Sequence, residues 1–203
     1  MAVILDLVGS FMIAGFVLMM GLRLNANVAN SNDSYKADVV VQESLVSLVQ
    51  SVEFDFRKMG YGVQDPTTVL KQADSTHIKF LSDVNNDGIV DTVDWYLGGP
   101  IVSTPNPNDK VLYRKVSSPT VGVSTLVGSL PGVTKFFMKY LDQDGHPVVV
   151  MSQIWIVETT IRVESPWKVQ DREVADQSYG LWGYSAAFWR QTRLASRNLR
   201  RHG

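Results

Sequence analysis

The chain has no cysteine, only three histidines, and a charged fraction of 19 % across 203 residues. Without cysteine there are no disulfides, no thiolate zinc sites and no cysteine nucleophile, and nothing marks the redox compartment. His77 opens a β-like run, His146 sits in a turn before proline, and His202 is one residue from the end. No two of them have metal-ligand spacing. There is no Gly-x-Ser-x-Gly, no phosphate-cradling glycine loop and no paired-carboxylate motif, and the serines have no recognisable base partner. These absences point away from an enzyme. Net charge is −1, which gives the whole molecule no bias toward nucleic acid. Arg190, Arg193, Arg197, Arg200 and Arg201 crowd the last fourteen residues, so the rest of the chain is mildly acidic. Such a tail could meet phosphate or anionic lipid, but a solvated or salt-bridged terminus is the plainer reading. What is plentiful is apolar: a hydrophobic fraction of 45 % suits a packed core and argues against disorder.

The apolar residues are concentrated first at the amino end. "AVILDLVGSFMIAGFVLMMGL" runs from Ala2 to Leu22 with a single charge, Asp6. About 20 apolar residues are needed to cross a bilayer as a helix. A secretory signal would carry a basic segment before the run and a small-x-small site after it; nothing basic precedes this run, and "NANVANS" is a poor cleavage site. A buried core helix would be amphipathic. A membrane anchor is therefore expected over residues 1–24. A carboxylate within a bilayer costs on the order of 3 kcal/mol unless it finds a partner. Asp6 falls in the first turn or two, where it can sit at the interface or favour the positive helix end. Arg23 and Lys36 follow the span and no basic side chain precedes it, so an amino-end-in topology does not satisfy the positive-inside rule.

The next segment, "RLNANVANSNDSYK", is rich in asparagine but contains neither proline nor glycine. Apolar residues then recur at Val41, Leu45, Leu48, Val52, Phe56 and Met59 in steps of three and four, one face of a helix. Gly60 is placed to cap it. The first sixty residues are most simply one long helix, softened around Asn25 to Ser34, with two separate helices as the alternative. Residues 25–62 form its amphipathic continuation. From residue 63 the period changes. "HIKFL", "TVDWYLGG", "KVLYRKV", "TKFFMKYL" and "PVVVMSQIWIVETTIRVES" are rich in β-branched and aromatic residues and separated by turn residues. Ser117 to Gly132 reads as loop. The expected fold is α+β: a long amino-terminal helix on an antiparallel sheet of five to seven strands, the sheet domain filling residues 63–203.

Two acidic turns carry the candidate chemistry. "DVNNDGIVDTVDW" places Asp83, Asn85, Asp87, the Ile89 carbonyl, Asp91 and Asp94 at positions one, three, five, seven, nine and twelve of an EF-hand loop, with Gly88 at six. A hard cation wants about six to eight oxygens, so the pattern suits calcium. It also looks like a dockerin loop, which tolerates Asp at twelve, but dockerins duplicate the loop and add helices. Both flanks here read as strands, and Asn-Asp-Gly is equally a hairpin turn, with Asp94 alternating away. Calcium and a plain turn both stay open. The second turn, "DQDGHP", holds Asp142, Asp144 and Gly145 between two strand-like runs and reads as a hairpin. Tryptophans at 95, 155, 167, 182 and 189, and the string "YGLWGYSAAFWR", give the carboxyl third an aromatic load that fits either core and loop packing or a binding surface for a partner subunit or a glycan.

This order of parts resembles the type IV pilin and pseudopilin superfamily, and within it the larger minor pilins of the PilW or pseudopilin J kind. "VEFDFRKMGYGV" is similar to that family's helix end, "IKFLSDVNNDGIVDTVDWYL" with "VLYRKV" to its strand, Asp-Gly turn and strands, "FFMKYLDQDG" to its later hairpin, and "TRLASRNLRR" to its terminal strand. The glycine, aromatic and glutamate of the family's processing signal are not in this sequence; with Met1 removed, Asp6 takes the fifth position, where the family has its glutamate. The resemblance implies a structural subunit of a filament in the bacterial cell envelope, anchored in the inner membrane or assembled outside it. Its implied partners are other pilin-like subunits and the membrane, with no nucleic acid and no small-molecule substrate. Asp6 would be the assembly residue, pairing with a neighbour's amino terminus, and no cofactor other than calcium is implied. The alternatives are a single-pass anchor for a calcium-dependent binding module and an accessory subunit of a membrane complex.

Overall fold

A computed structural model describes residues 2–119, 122–126, 132–170, 182–194 and 199. One helix, α1, runs unbroken from Ala2 to Lys58. At about 1.5 Å per residue it is about 85 Å long. The asparagine cluster does not interrupt it, so the two-helix alternative is set aside. Met59 and Tyr61 donate their N–H groups back to the Phe56 and Lys58 carbonyls, and Gly60 turns the chain out at φ +79°. That is the left-handed cap expected of a glycine just past a helix end.

The carboxyl half of α1 lies on a sheet with eight strands among the described residues: β1 (Leu70–Asp74), β2 (His77–Ser82), β3 (Asp91–Pro100), β4 (Lys110–Ser118), β5 (Gly122–Leu126), β6 (Val133–Leu141), β7 (Ile156–Gln170) and β8 (Trp182–Leu194). Their order is β1-β2-β3-β4-β6-β7-β8, all antiparallel, with β5 also on β4. The α+β arrangement is therefore the one expected. The helix packs mainly on β7 and β8. Val41, Leu45, Leu48, Val52, Phe56 and Met59 are all buried, as their spacing requires. They meet Ile78 and Phe80 of β2, Val93 and Trp95 of β3, Phe136 and Met138 of β6, and Ile161 and Val163 of β7 in one core. Alternate residues of each strand supply that face, the period-two consequence of the pleat. Each fully buried large apolar side chain contributes roughly 1.5–3 kcal/mol.

Three sequence expectations need correction. Strand β1 lies ahead of the first strand read from the sequence. β5 lies within the stretch read as loop; it is five residues long and edges β4 from Arg114 to Ser118. The run beginning at Pro147 is not one strand. Pro147 bridges Leu141 and the Val148 N–H reaches the Tyr140 carbonyl, but Met151–Gln153 then forms a 3₁₀ turn. β7 begins only at Ile156, where it pairs with Leu141. The Tyr140 carbonyl faces the edge of β6 away from β7, and on that edge the Ser75 carbonyl already takes the Met138 N–H, so the returning arm does not extend and Val149 is left almost fully exposed.

Candidate functional site

Among the described residues, no side chain of α1 from Ala2 to Leu22 is buried. Val3, Ile4, Phe11, Ile13, Phe16, Leu18 and Met20 are all more than half exposed, on every side of the helix. It is the one helix among the described residues long and apolar enough, by length and composition, to cross a membrane, and none of its apolar window is buried. Asp6 stands exposed in this rod, its backbone carbonyl accepting the Ser10 hydroxyl at 2.8 Å.

Where the rod meets the sheet, Asp55 is fully buried. Its Oδ2 accepts the Trp95 indole N–H at 2.7 Å and the Arg114 Nε–H at 2.6 Å, and its Oδ1 accepts Arg114 Nη2 at 2.8 Å. This fork-to-carboxylate geometry ties α1 to β3 and β4 at once. Bonding to Asp55 raises the Arg114 pKa further, against the opposing effect of burial. The sequence reading passed over both residues. The signal was present: Asp55 falls between Val52 and Met59 on the buried face, where a lone carboxylate requires a partner.

One turn beyond, the helix end clasps the β2–β3 loop. Ser82 pairs with Asp91 across the hairpin, leaving residues 83–90 as an eight-residue connection rather than a two-residue turn. The Asp83 N–H donates to the Tyr61 carbonyl, the Ser82 hydroxyl to the Lys58 carbonyl, and Lys58 Nζ to the Val84 carbonyl at 2.6 Å and to Asn86 Oδ1 at 3.0 Å. Gly62 has φ +77°, and a Cβ there would stand 3.0 Å from the Asp83 Cβ, so the close approach requires glycine.

Inside the loop, Asp83 is buried and accepts the N–H groups of Asp87 and Gly88. Asn85 Oδ1 also accepts the Asp87 N–H, and Asp87 Oδ1 accepts the Ile89 N–H at 2.7 Å. The Asn85 amide donates to Asp87 Oδ2 at 2.8 Å. Asp91 is 2 % exposed. Its Oδ2 faces the Val84 N–H at 3.4 Å, and its Oδ1 is buried with no hydrogen-bond partner. Asp94, the sixth residue of the spacing, lies elsewhere. Asp91, Val93 and Trp95 face the core, so Asp94 points to the opposite face of β3. There its carboxylate meets His77 Nε2 at 2.6 Å and Lys79 Nζ at 3.3 Å.

The second acidic turn is a tight one. Asp142 Oδ1 accepts the N–H groups of Asp144 and His146, and Gly145 has φ +88°. Those bonds, the His146 N–H foremost, hold the Asp142 carboxyl below its ordinary range. Ligand atoms of Asp142, Asp144 and His146 lie within 4.8 Å of one another; Asp83, Asp87 and Asp91 are not drawn together so closely. The Asp142 trio is largely solvent-exposed, and the turn's own backbone already satisfies its central carboxylate.

A third acid, Asp109, is fully buried after the "STPNPND" loop. Burial pushes its carboxyl pKa up, the facing Thr104 hydroxyl pulls it down, and the Glu164 charge raises it. Asn106 donates to both Glu164 and the Ser165 carbonyl nearby. The adjoining recess, of about 370 Å³, is lined by Lys110, Thr134, Lys135, Arg162 and Glu164, with the Thr134 hydroxyl donating to the Arg162 carbonyl at 3.4 Å. Of the tryptophans, Trp95 is buried, Trp189 packs against the core and Trp167 is 38 % exposed. The Trp182 side chain, the start of "YGLWGYSAAFWR" and the five carboxyl-terminal arginine side chains lie outside the described residues. Comparison with family models, with characterised proteins and with solved structures returns no match to this chain.

Proposed function

We propose that this protein is a structural, non-catalytic subunit of a pilus-like or pseudopilus-like filament in the bacterial envelope, inserted through the amino half of α1. The observation that carries the reading is the exposed apolar rod. Ala2 to Leu22 alone runs about 32 Å, and none of its apolar window is buried. A monomer rarely exposes so large an apolar surface, and one that does so meets lipid or other chains. Ala2 to Leu22 matches a hydrocarbon core of about 30 Å. The polar stretch from Arg23 to Asp33 then stands clear of it as a rigid stalk. In a filament the same rod would pack against copies of itself or related subunits, with the sheet domain facing outward. Asp6 would sit opposite a neighbour's positive amino terminus and fix axial register, a desolvated pair whose value is specificity more than energy.

Electron microscopy of the native assembly tests this directly, by showing a chain that repeats along a helix or caps one. Asp6→Ala is expected to lose incorporation while near-ultraviolet circular dichroism of the sheet domain is unchanged. Normal assembly of Asp6→Ala would remove the role of Asp6. A chain found only as isolated membrane monomers would remove the filament and favour the second reading, a single-pass anchor for a calcium-dependent module. The unpartnered Asp91 oxygen is the observation that supports that second reading.

A further inference from the structure

We propose that the β2–β3 loop is a calcium site formed by Asp83, Asn85, Asp87, the Ile89 carbonyl and Asp91, and that Asp94 takes no part in it. The inference stands apart from the filament reading and would hold for either kind of protein.

Two independent observations carry it. One is the spacing of oxygen donors at positions one, three, five, seven and nine, with Gly88 at six and φ +82°. The other is the Asp91 carboxylate, 2 % exposed, with Oδ1 unpartnered. A buried carboxylate oxygen is destabilising unless a proton or a cation meets it. Asp91 is fixed against the loop by its contact with the Val84 N–H, so its free oxygen belongs to the same small region as Asp83. Lys58, the cation bonded to the loop, gives its ammonium to the Val84 carbonyl and Asn86, not to a carboxylate. Asp83 and Asp87 lie in the loop and Asp91 at the first residue of β3 beside it, and Asp83 and Asp91 are both nearly inaccessible to water.

The donors are all oxygen, which selects a hard cation and not zinc. Calcium tolerates a flexible shell of about six to eight oxygens, whereas magnesium demands near-octahedral order. Water would complete the shell. Binding would exchange the Asn85 amide bond to Asp87 for coordination and draw Asp87 and Asp91 inward. At position twelve an EF-hand has a helix carrying a bidentate acid; here a strand has replaced it, and its pleat turns Asp94 toward His77 and Lys79. With that ligand missing, affinity falls in the weak range of extracellular modules, about 10⁻⁴–10⁻³ M. Because Asp83 and Ser82 are bonded to Tyr61 and Lys58, an ion here would stiffen the joint between rod and sheet.

The test is calorimetric titration of the full-length chain in detergent micelles with calcium chloride, alongside melting in calcium and in chelator. One ion per chain and a calcium-raised Tm are expected. Asp87→Asn, at an exposed position, should lose affinity at least about tenfold. Asp91→Asn should abolish the calcium shift and raise the calcium-free Tm, because it removes the buried charge. Asp94→Asn should bind calcium as the parent does. The proposal is overturned if millimolar calcium gives neither heat nor shift, or if magnesium does as well as calcium. It is equally overturned if Asp94→Asn loses as much as Asp87→Asn, or if Asp142→Asn alone removes the shift.

Discussion

The two halves of α1 share one backbone ladder and differ in where their apolar residues lie. Residues 2–22 are apolar all round, and no described side chain among them is buried. Residues 37–59 carry a single apolar stripe, and that stripe is buried on the sheet. A stripe needs one partner surface, which the chain itself supplies. An all-round apolar helix needs partners on every side, which the described residues of this chain do not provide. The helix is therefore a continuous rod with two kinds of surface: one half laid on the sheet, the other apolar all round and long enough to cross a membrane.

The sharpest way to break this comparison is at Asp55. Asp55→Ala leaves the Arg114 guanidinium and the Trp95 N–H without their acceptor, and removing one partner of a buried pair costs about 3–5 kcal/mol. Urea unfolding in detergent measures it; a loss below about 1 kcal/mol would mean that the apolar stripe alone holds the rod. Leu48→Ala, within the stripe, is expected to cost about 2–4 kcal/mol in the same assay. A smaller effect is expected at Asp109. Its carboxyl is raised above 3.8 in the folded state, chiefly by burial. The folded chain therefore holds that proton more tightly than the unfolded one, so the contribution to stability is complete below 3.8 and is lost as pH rises through the raised value. Asp109→Asn should flatten the acid side of a Tm-against-pH curve and raise Tm at neutral pH; an unchanged curve would place the proton linkage elsewhere. Smallest of all, Phe16→Ala should leave unfolding of the sheet domain within about 0.5 kcal/mol, because the side chain is exposed. Its effect should appear only in membrane retention or assembly, and a large loss of domain stability would show that the amino half folds back.

Particular residues explain how much could be read without coordinates. The stripe from Val41 to Met59 was legible because helical period and burial coincide there. Four of the strands were legible, and β7 in part, because β-branched and aromatic residues cluster in them; β1 and β5 were missed because five residues, most of them polar or small, give no period. Pro147 to Ile154 was misread as strand because its valines fit one, while the competition for the edge of β6 is invisible in a local window. The acidic loop was half legible. Spacing grouped Asp83, Asn85 and Asp87, which do share hydrogen bonds within the loop, but spacing assumes a helix after position nine, and only the strand register reveals that Asp91 and Asp94 face opposite ways.

The sequence by itself determined the long helix, its change from all-round to one-sided apolarity, the α+β class and the acidic loop, because each follows from local period and composition. Tertiary structure alone decided that Asp55, Trp95 and Arg114 form one bond network and that Lys58 clasps the acidic loop. Those pairings join residues 26 to 59 positions apart, a separation that no periodic pattern encodes and that only packing the helix on the sheet brings within hydrogen-bond reach.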